Sequence, residues 1–388
     1  MMQDNSLNMS QDISVELLTS IDAISAAAWD ALTDTTPLIS HAFLSALERS
    51  GSVGANTGWN PRHLIVKQNS HIIGVMPLYL KSHSYGEYVF DWAWADAYQR
   101  SGLEYYPKLL SAIPFSPITS ARLLSHGKDT MQLMIKALER VMQQHQLSSA
   151  HVLFPDEASA EVLSEAGWLQ RTGVQFRWQN KNYGNFEDFL ASLSHDKRKK
   201  IHQERKKIQL AGVVCRQIKG MNAKQEDWDL FYACYCNTYN EHRSTPYLTR
   251  DFFAEISKNM PQNLLLIVAE IDGKPIACTL NIYNQTTLYG RYWGATQFVS
   301  NLHFELCYYQ AQQFCIDQKI TYFEGGAQGE HKLARGFEPR STCSYHKIAH
   351  PNFEVAIKDF LRRESEGIKA YTSELEERAP FKAGPNVG

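Results

Sequence analysis

Apolar residues recur along this chain with two periods, one of about 3.6 residues that predicts helices and one of about two that predicts strands. In the first half, helices are predicted over 23–32, 41–50, 129–146 and 157–166, and strands over 63–67, 72–81, 150–154 and 168–179. Ser40 is an N-cap residue in front of the second helix, and the first two strands form an antiparallel hairpin. The first half is therefore predicted to be a mixed α/β unit.

The second half repeats that order of elements. Helices are predicted over 193–209, 224–240, 249–259, 304–318 and 358–378, and strands over 213–218, 264–271, 276–283, 287–293, 320–324 and 341–349. We predict an α/β (α+β) fold made by duplication, in which each domain is a mixed, mainly antiparallel sheet flanked by helices. The expected domains are residues 1–175 and 176–388, with the ligand site in a groove between them.

Composition narrows the class of protein. Charged residues make up 21% of the chain and its formal net charge is −2, which is ordinary for a soluble protein and predicts no DNA partner. The seven cysteines form no CxxC pair, so neither a disulfide framework nor a zinc knuckle is expected, and a reducing cytoplasm fits best. We also expect neither a cleaved signal nor a transmembrane segment, because no long apolar run occurs.

The stretch from Phe323 to Phe337 has the composition of a site: two carboxylates, an imidazole, two cations and four glycines in fifteen residues. It follows a short apolar run that predicts a buried strand, so the glycines mark the end of a strand, where backbone amides can approach a ligand. The alternative is a tight connection whose polar residues Glu330, His331, Lys332 and Arg335 are merely solvated.

Several segments together resemble a known family. These are Leu38–Leu44, Gly58–Leu64, Asp91–Tyr98, Tyr106–Leu110, Gly290–Gly294 and Gly325–Lys332. The second half resembles the GCN5-related N-acetyltransferase (GNAT) fold, and the tandem arrangement resembles the Fem-type aminoacyl transferases of peptidoglycan cross-bridge synthesis. Within that group the chain looks like the FemAB-like peptidoglycan biosynthesis/recognition proteins, which are predicted N-acyltransferases. The resemblance implies tandem GNAT-like domains and acyl or aminoacyl transfer to an amine acceptor such as a cell-wall precursor.

Acyl transfer to an amine needs a group that accepts the proton of the amine. Glu324, Glu330 and His331 are the candidates, and we favour Glu330 or His331 because the glycine loop would present them at the end of the sheet. Glu324 is then expected to orient a partner or to bind the acceptor amine.

The transfer also needs hydrogen-bond donors for the oxyanion of the tetrahedral intermediate. Gln328 and the amides around Gly325 and Gly326 are the candidate donors, and these glycines are where a cofactor would be held. Lys332 and Arg335 are expected to bind a phosphate or a carboxylate.

The donor is left open by the sequence. Arg291 and Trp293 are expected to contact substrate, but the residues between Trp293 and His303 lack the glycine-rich pyrophosphate signature of acetyltransferases. The donor is therefore either an acyl-CoA or an aminoacyl-tRNA. No metal is expected, since His303 and His331 lack neighbouring ligands at metal spacing.

A basic run, residues 195–207, holds seven Lys or Arg residues against Asp196 and Glu204. At helical spacing Arg198, His202 and Arg205 share one face, which can clamp a polyphosphate or a tRNA backbone. The alternative is a solvated helix face. If catalysis is absent, this face favours a different function, a binding module for a phosphorylated glycan or RNA.

In the first half, Asp91–Tyr98 alternates large or acidic residues with alanine. We interpret it as an extended segment whose one face carries Trp92, Trp94, Asp96 and Tyr98. Aromatic rings beside carboxylates suit a sugar or a cationic amine. A core strand with two acids at its edge is the alternative.

Overall fold

The computed structural model of the chain describes residues 7–10, 13–326 and 329–382. The chain forms two compact units, unit 1 from residues 1–173 and 341–370, and unit 2 from 174–340 and 371–388. The chain first passes from unit 1 to unit 2 between residues 173 and 174, whereas the boundary predicted from the sequence is between 175 and 176. The return of residues 341–370 to unit 1 was not foreseen from the sequence.

The strands of the first half and the strand that returns to unit 1 fall into two sheets. Their bounds are β1 Leu7–Ser10, β2 Ile13–Leu18, β3 Trp59–Pro61, β4 His63–Gln68, β5 His71–Met76, β6 Tyr79–Lys81, β7 Lys108–Ser111, β8 Leu124–Ser125, β9 Ser149–Leu153, β10 Leu169–Gln179 and, after unit 2, β16 Glu338–Ile348. One sheet is antiparallel in the order β1-β2-β4-β5-β8. The other has the order β3-β6-β7-β9-β16, in which β7 and β9 are parallel.

Helices cover the sheets of unit 1. They are α1 Ala26–Asp30, α2 His41–Arg49, α3 Trp92–Arg100, α4 Lys128–Gln144 and α5 Glu157–Glu165, and α12 Pro351–Glu377 begins in this unit. Ser40 caps α2 as predicted, since its hydroxyl accepts the amide of Phe43. Helix α4 buries Met134, Leu138 and Val141 at intervals of three and four residues, which places its apolar face in the core of unit 1.

Unit 2 has one sheet in the order β11-β12-β13-β14-β15-β10. Its strands are β11 Val213–Lys219, β12 Leu264–Ile271, β13 Lys274–Tyr283, β14 Thr287–Ala295 and β15 Tyr322–Glu324, with the end of β10. Its helices are α6 Phe186–Ser192, α7 His195–Leu210, α8 Gln225–Glu241, α9 Arg250–Asn259, α10 Leu302–Phe304 and α11 Gln310–Asp317. A π-helical turn, Glu305–Tyr309, joins α10 to α11.

Both units contain the same sequence of pairings. In unit 1, β6 is antiparallel to β7, and β7 is parallel to β9, with α4 between them in the chain. In unit 2, β13 is antiparallel to β14, and β14 is parallel to β15, with α10 and α11 between them. The predicted fold class, tandem GNAT-like α/β units, is confirmed.

The prediction of an extended segment at Asp91–Tyr98 is wrong. Residues Trp92–Arg100 form helix α3, because the intervening alanines favour a helix and the two buried aromatic residues, Trp94 and Tyr98, are four residues apart. The single predicted strand 72–81 is also divided: β5 and β6 belong to different sheets, and Pro77 between them has no amide for a ladder.

Candidate active site

The parallel strands β14 and β15 separate soon after they begin. Thr287, Leu288 and Tyr289 pair with the three residues of β15, whereas β14 continues to Ala295 without β15 beside it. A cavity of about 150 Å³ lies where the strands diverge. It is lined by Thr279 and Asn281 of β13, by Gly290–Trp293 of β14, by Phe323 and Gly325, and by His303, Cys307 and Tyr308.

A β-bulge shapes the wall of this cavity. Leu280 pairs with Tyr292 and Asn281 pairs with Gly290, so Arg291 is an extra residue in β14. A side chain at position 290 would bring its Cβ within 3.0 Å of the ring of Phe323, so the glycine lets β14 and β15 approach each other here. The bulge and the glycine together position the substrate-facing residues predicted at Arg291 and Trp293, both of which line the cavity.

The π-helical turn supplies the opposite wall. Extra residues of this kind in a helix occur frequently at functional sites. Here the turn carries Cys307 and Tyr308, which line the cavity, whereas Glu305 is buried and accepts hydrogen bonds from Gln310 (2.8 Å) and Arg205 (3.3 Å).

Tyr308 connects the cavity to His331. Its hydroxyl lies 2.9 Å from Nε2 of His331, and the phenol itself is buried. Burial raises the pKa of Tyr308, so the hydroxyl keeps its proton at neutral pH. The pKa of His331 is lowered by partial burial and by the charges of Arg335, Lys332 and Lys200. A neutral imidazole therefore adjoins a neutral phenol at the edge of the cavity.

His303 faces the cavity directly. Its ring packs edge-on against Trp293, with 5.0 Å between the ring centres, and contacts Tyr308 in the same way. Burial, together with the nearby charges of Arg335 and Lys332, lowers the pKa of His303 to about 4. His303 is thus a neutral histidine in the cavity wall.

The two carboxylates named as proton acceptors lie elsewhere. Glu330 is exposed and accepts hydrogen bonds from Arg378 (2.8 Å) and Tyr371 (3.1 Å), and the bond from Arg378 lowers its pKa. Glu324 is bound by Arg177 at 2.5 Å. Neither carboxylate lines the cavity.

Of the backbone amides around Gly325 and Gly326 that were predicted to donate to the oxyanion, one is already used within the protein. The amide of Gly325 donates to the carbonyl of Phe176 at 3.2 Å, and the carbonyl of Gly326 accepts Nζ of Lys332 at 3.0 Å. Burial lowers the pKa of Lys332 to about 8. Gln328 lies outside the described residues.

Arg335 is buried and already bound to a carboxylate of the protein. It donates from Nη2 to both carboxylate oxygens of Glu204 at 2.9 Å, and from Nη1 to the carbonyl of His331 at 2.8 Å. This arrangement fixes the backbone of His331.

Helix α7 divides its charges between two faces. Arg205 turns inward, where it contacts Glu305 and lies 4.7 Å from the ring centre of Phe186. His202 is exposed and 3.9 Å from Glu187. Arg198 and His202 line a surface depression together with His195, Lys199, Gln203 and Lys206. Of the three residues predicted to form a clamp, Arg198 and His202 share this exposed face.

The predicted aromatic face of unit 1 does not exist as one surface. Trp94 and Tyr98 are buried in α3, whereas Trp92 is 40% exposed and Asp96 pairs with Arg100 at 3.1 Å on the outside.

Several cavity residues were not found from the sequence. Thr279 and Asn281 lie in an otherwise apolar buried strand, and that interruption is the signal that could have identified them. Cys307 and Tyr308 carried no signal, because the π-helical turn that aims them at the cavity has no sequence signature.

Comparison with known proteins gives a family and a fold. The FemAB-like family, described as peptidoglycan biosynthesis/recognition, matches residues 20–383. The sequence matches none of the curated proteins. The structure of FemX is similar, with a TM-score of 0.53 and 10% identity, over 86% of this chain and 98% of that chain.

Two further structures are similar. A conserved protein of unknown function from Bacteroides thetaiotaomicron VPI-5482 has a TM-score of 0.50 and 13% identity over 86% of this chain and 99% of that chain. A tandem GNAT protein from the clavulanic acid biosynthesis pathway has a TM-score of 0.45 and 10% identity over 88% and 99%. Because the family match covers nearly the whole sequence, this chain belongs to the FemAB-like family.

Proposed function

We propose that this protein transfers an acyl or aminoacyl group to the amine of an acceptor, and that the cavity between β14 and β15 holds the group being transferred. One observation carries the proposal: Tyr308 lines the cavity and its hydroxyl lies 2.9 Å from Nε2 of His331. Membership of the FemAB-like family supports a peptidoglycan-related acyl or aminoacyl transferase.

In the proposed reaction the amine nitrogen attacks the carbonyl carbon of the donor. A carbon–nitrogen bond forms, the bond to the donor's sulfur or oxygen breaks, and the amine loses one proton. The hydroxyl oxygen of Tyr308 accepts the proton of the amine while the hydroxyl proton of Tyr308 passes to Nε2 of His331. The leaving group is then protonated by return of a proton along the same route. His331 suits this role better than Glu330 because its lowered pKa keeps it neutral, whereas Glu330 is exposed and paired with Arg378.

Thr279 is proposed to donate a hydrogen bond to the oxyanion. Its hydroxyl oxygen accepts a hydrogen bond from the side-chain amide of Asn281 at 3.1 Å, so its hydroxyl proton can be donated toward the cavity. Arg291 adds a positive charge in the same wall.

The size of the cavity limits the transferred group. A cavity of about 150 Å³ is the size that holds a single six-membered ring. A short acyl group or a small aminoacyl group therefore fits, and a long fatty acyl chain does not. The acceptor is proposed to be a cell-wall precursor, and the donor to be an acyl-CoA or an aminoacyl-tRNA.

The proposed compartment is the cytoplasm, since all seven cysteines are free thiols. Among the described residues, no helix combines the length and the apolar content that crossing a membrane requires.

The test is thermal stabilisation by acetyl-CoA, CoA, aminoacyl-tRNA, uncharged tRNA and a UDP-linked muropeptide. A ligand at about 100 times its dissociation constant adds roughly 2.7 kcal/mol to the free energy of unfolding. The ligand that stabilises the protein is then assayed for transfer. Cys307→Leu, which narrows the cavity, should abolish the stabilisation by the donor, whereas Cys236→Leu on α8 should not. Stabilisation that survives Cys307→Leu would place the donor elsewhere.

A second candidate function is favoured by the surface of α7. Lys199, Lys200, Lys206 and Lys207 are exposed, whereas Glu204 points inward to Arg335 and cannot neutralise them. A binding module for a phosphorylated glycan or RNA is therefore the alternative. Its affinity for a short RNA would fall steeply with salt, by about 0.7 log units per log unit of salt for each phosphate contact, without any turnover.

A further inference from the structure

Two lysines face each other inside unit 1. Lys81 of β6 and Lys108 of β7 are directly opposite in the antiparallel ladder, and both are fully buried. Like charges in opposite positions destabilise a strand pair, and burial of each charge costs several kcal/mol more unless it is compensated. The sheet alone thus places two buried lysine side chains opposite each other without a counter-charge from either strand.

The compensating charges come from one irregular segment, residues 82–91. Nζ of Lys108 donates to Glu87 Oε2 at 2.8 Å, to Ser84 Oγ at 2.8 Å, and to Asp91 Oδ2. Lys81 has weaker partners: it donates to the carbonyl of Tyr85 at 3.3 Å, it lies 3.7 Å from the ring centre of Trp59, and Glu87 Oε1 is 3.9 Å away, beyond hydrogen-bond range.

The fit is incomplete on the acidic side too. Glu87 is 4% exposed and Asp91 is 3% exposed, yet Oε1 of Glu87 and Oδ1 of Asp91 have no hydrogen-bond partner among the described residues. A buried carboxylate oxygen without a hydrogen-bond donor costs free energy. The two carboxyl groups therefore do not use the full hydrogen-bonding capacity of the site.

Segment 82–91 buries polar side chains and exposes aromatic ones, the opposite of the usual arrangement at a protein surface. It buries Ser84, Glu87 and Asp91, and it exposes Tyr85 (56%) and Phe90 (55%). Exposing aromatic surface while burying carboxylates is unfavourable on both counts. Outward movement of the segment would return the carboxylates to water.

We propose that Lys81 and Lys108 form a binding site for a doubly charged anion, a phosphate or a dicarboxylate, and that Glu87 and Asp91 occupy this site as internal ligands. When the external anion binds, segment 82–91 opens and its two carboxylates are released to solvent. The external anion takes the place of the two carboxyl groups beside the lysines. This site is in unit 1 and is independent of the transfer reaction proposed for unit 2.

Hydrogen exchange of the wild-type protein tests the opening. Hydrogen phosphate and succinate are added separately, with sodium chloride at matched ionic strength as the control for screening. The proposal expects faster exchange of amides 82–91 with one or both anions and not with chloride. An unchanged pattern, or the same change with chloride, would overturn it. The anion that acts distinguishes a phosphate from a dicarboxylate ligand.

Calorimetry of variants tests the competition. Glu87→Gln with Asp91→Asn removes the internal charges, so the active anion should bind at least about tenfold more tightly than to the wild type. Addition of Lys81→Met should remove that gain. Equal affinity of the wild type and the double variant would contradict the proposal. If the double variant does not fold, the exchange result on the wild type decides.

Discussion

Arg335 and Glu204 form a buried two-pronged ion pair, in which Nη2 of the arginine lies 2.9 Å from each carboxylate oxygen. The same guanidinium donates to the carbonyl of His331 and lies 3.4 Å from the ring centre of Phe304. Helix α7 is therefore connected through one charge pair to the turn that carries His331.

Glu204→Gln is expected to destabilise the protein by about 3–5 kcal/mol, because it leaves the charge of Arg335 buried without a counter-charge. Urea denaturation followed by circular dichroism measures the change in the free energy of unfolding. Arg362→Gln is the control: this arginine pairs with Asp359 and Glu366 on the surface, and its loss should cost less than about 1 kcal/mol. Similar decreases in the free energy of unfolding for both variants would show that the buried ion pair stabilises the protein no more than a surface pair does.

Tyr308→Phe should reduce the rate of transfer by about 10²–10⁴-fold, because the proton route from the cavity to His331 then lacks its hydroxyl. The adjacent Tyr309→Phe is a matched control, since it also removes one buried hydroxyl, the one bonded to Glu204, but Tyr309 does not line the cavity. Tyr308→Phe should lose about 1 kcal/mol of stability, and Tyr309→Phe about 1.5–3 kcal/mol because its hydroxyl donates to a charged group. The measurement is initial transfer velocity with the donor found by thermal stabilisation, and equal rates in the two variants would remove Tyr308 from the mechanism.

Local patterns predicted most of the fold because the signals were local. Ser40 caps α2 as predicted, and Asp272 and Gly273 form the turn between β12 and β13, since both features depend on the conformation of a few neighbouring residues. The failure at α3 has a local cause as well: large residues at alternate positions are typical of a strand, but the alanines between them favour a helix, and Trp94 and Tyr98, four residues apart, are buried together.

The candidate site was less predictable because its members meet through tertiary structure. His331 was named from a glycine-rich stretch, but its partner Tyr308 lies on a helix 23 residues away in sequence. Arg335 was expected to bind a substrate anion, since the sequence does not reveal that Glu204, 131 residues away, binds it instead. Long-range pairings of this kind have no periodic signature.

His303 should lower the stability of the protein when the pH is reduced from 6.5 toward 4. His303 has a pKa of about 4 in the folded state against 6.5 as the reference value, so between these values the unfolded chain binds a proton that the folded chain does not. That difference reduces the free energy of unfolding by up to about 1.4 kcal/mol for each pH unit of acidification, and its effect fades as the pH rises above the reference pKa of 6.5. The buried His151 and His346 act in the same direction.

Urea denaturation at several pH values measures this dependence. His303→Asn should make this dependence shallower by up to about 1.4 kcal/mol per pH unit, and the exposed His71→Asn is measured beside it as the control for loss of a histidine. A His303→Asn variant with the wild-type slope would mean that His303 is protonated as readily in the folded as in the unfolded chain.

The two tryptophans of α3 should respond very differently to truncation. Trp94 is 5% exposed and packs against His346 at 4.9 Å between ring centres, so Trp94→Ala should cost about 3–5 kcal/mol of stability. Trp92 is 40% exposed and contacts the exposed ring of Tyr85, so Trp92→Ala should cost less than about 1 kcal/mol. Had the segment been extended, both rings would share one face and their losses would be similar. Denaturation midpoints of the two variants, measured side by side, therefore separate a helix from a strand, and comparable losses would contradict the helix.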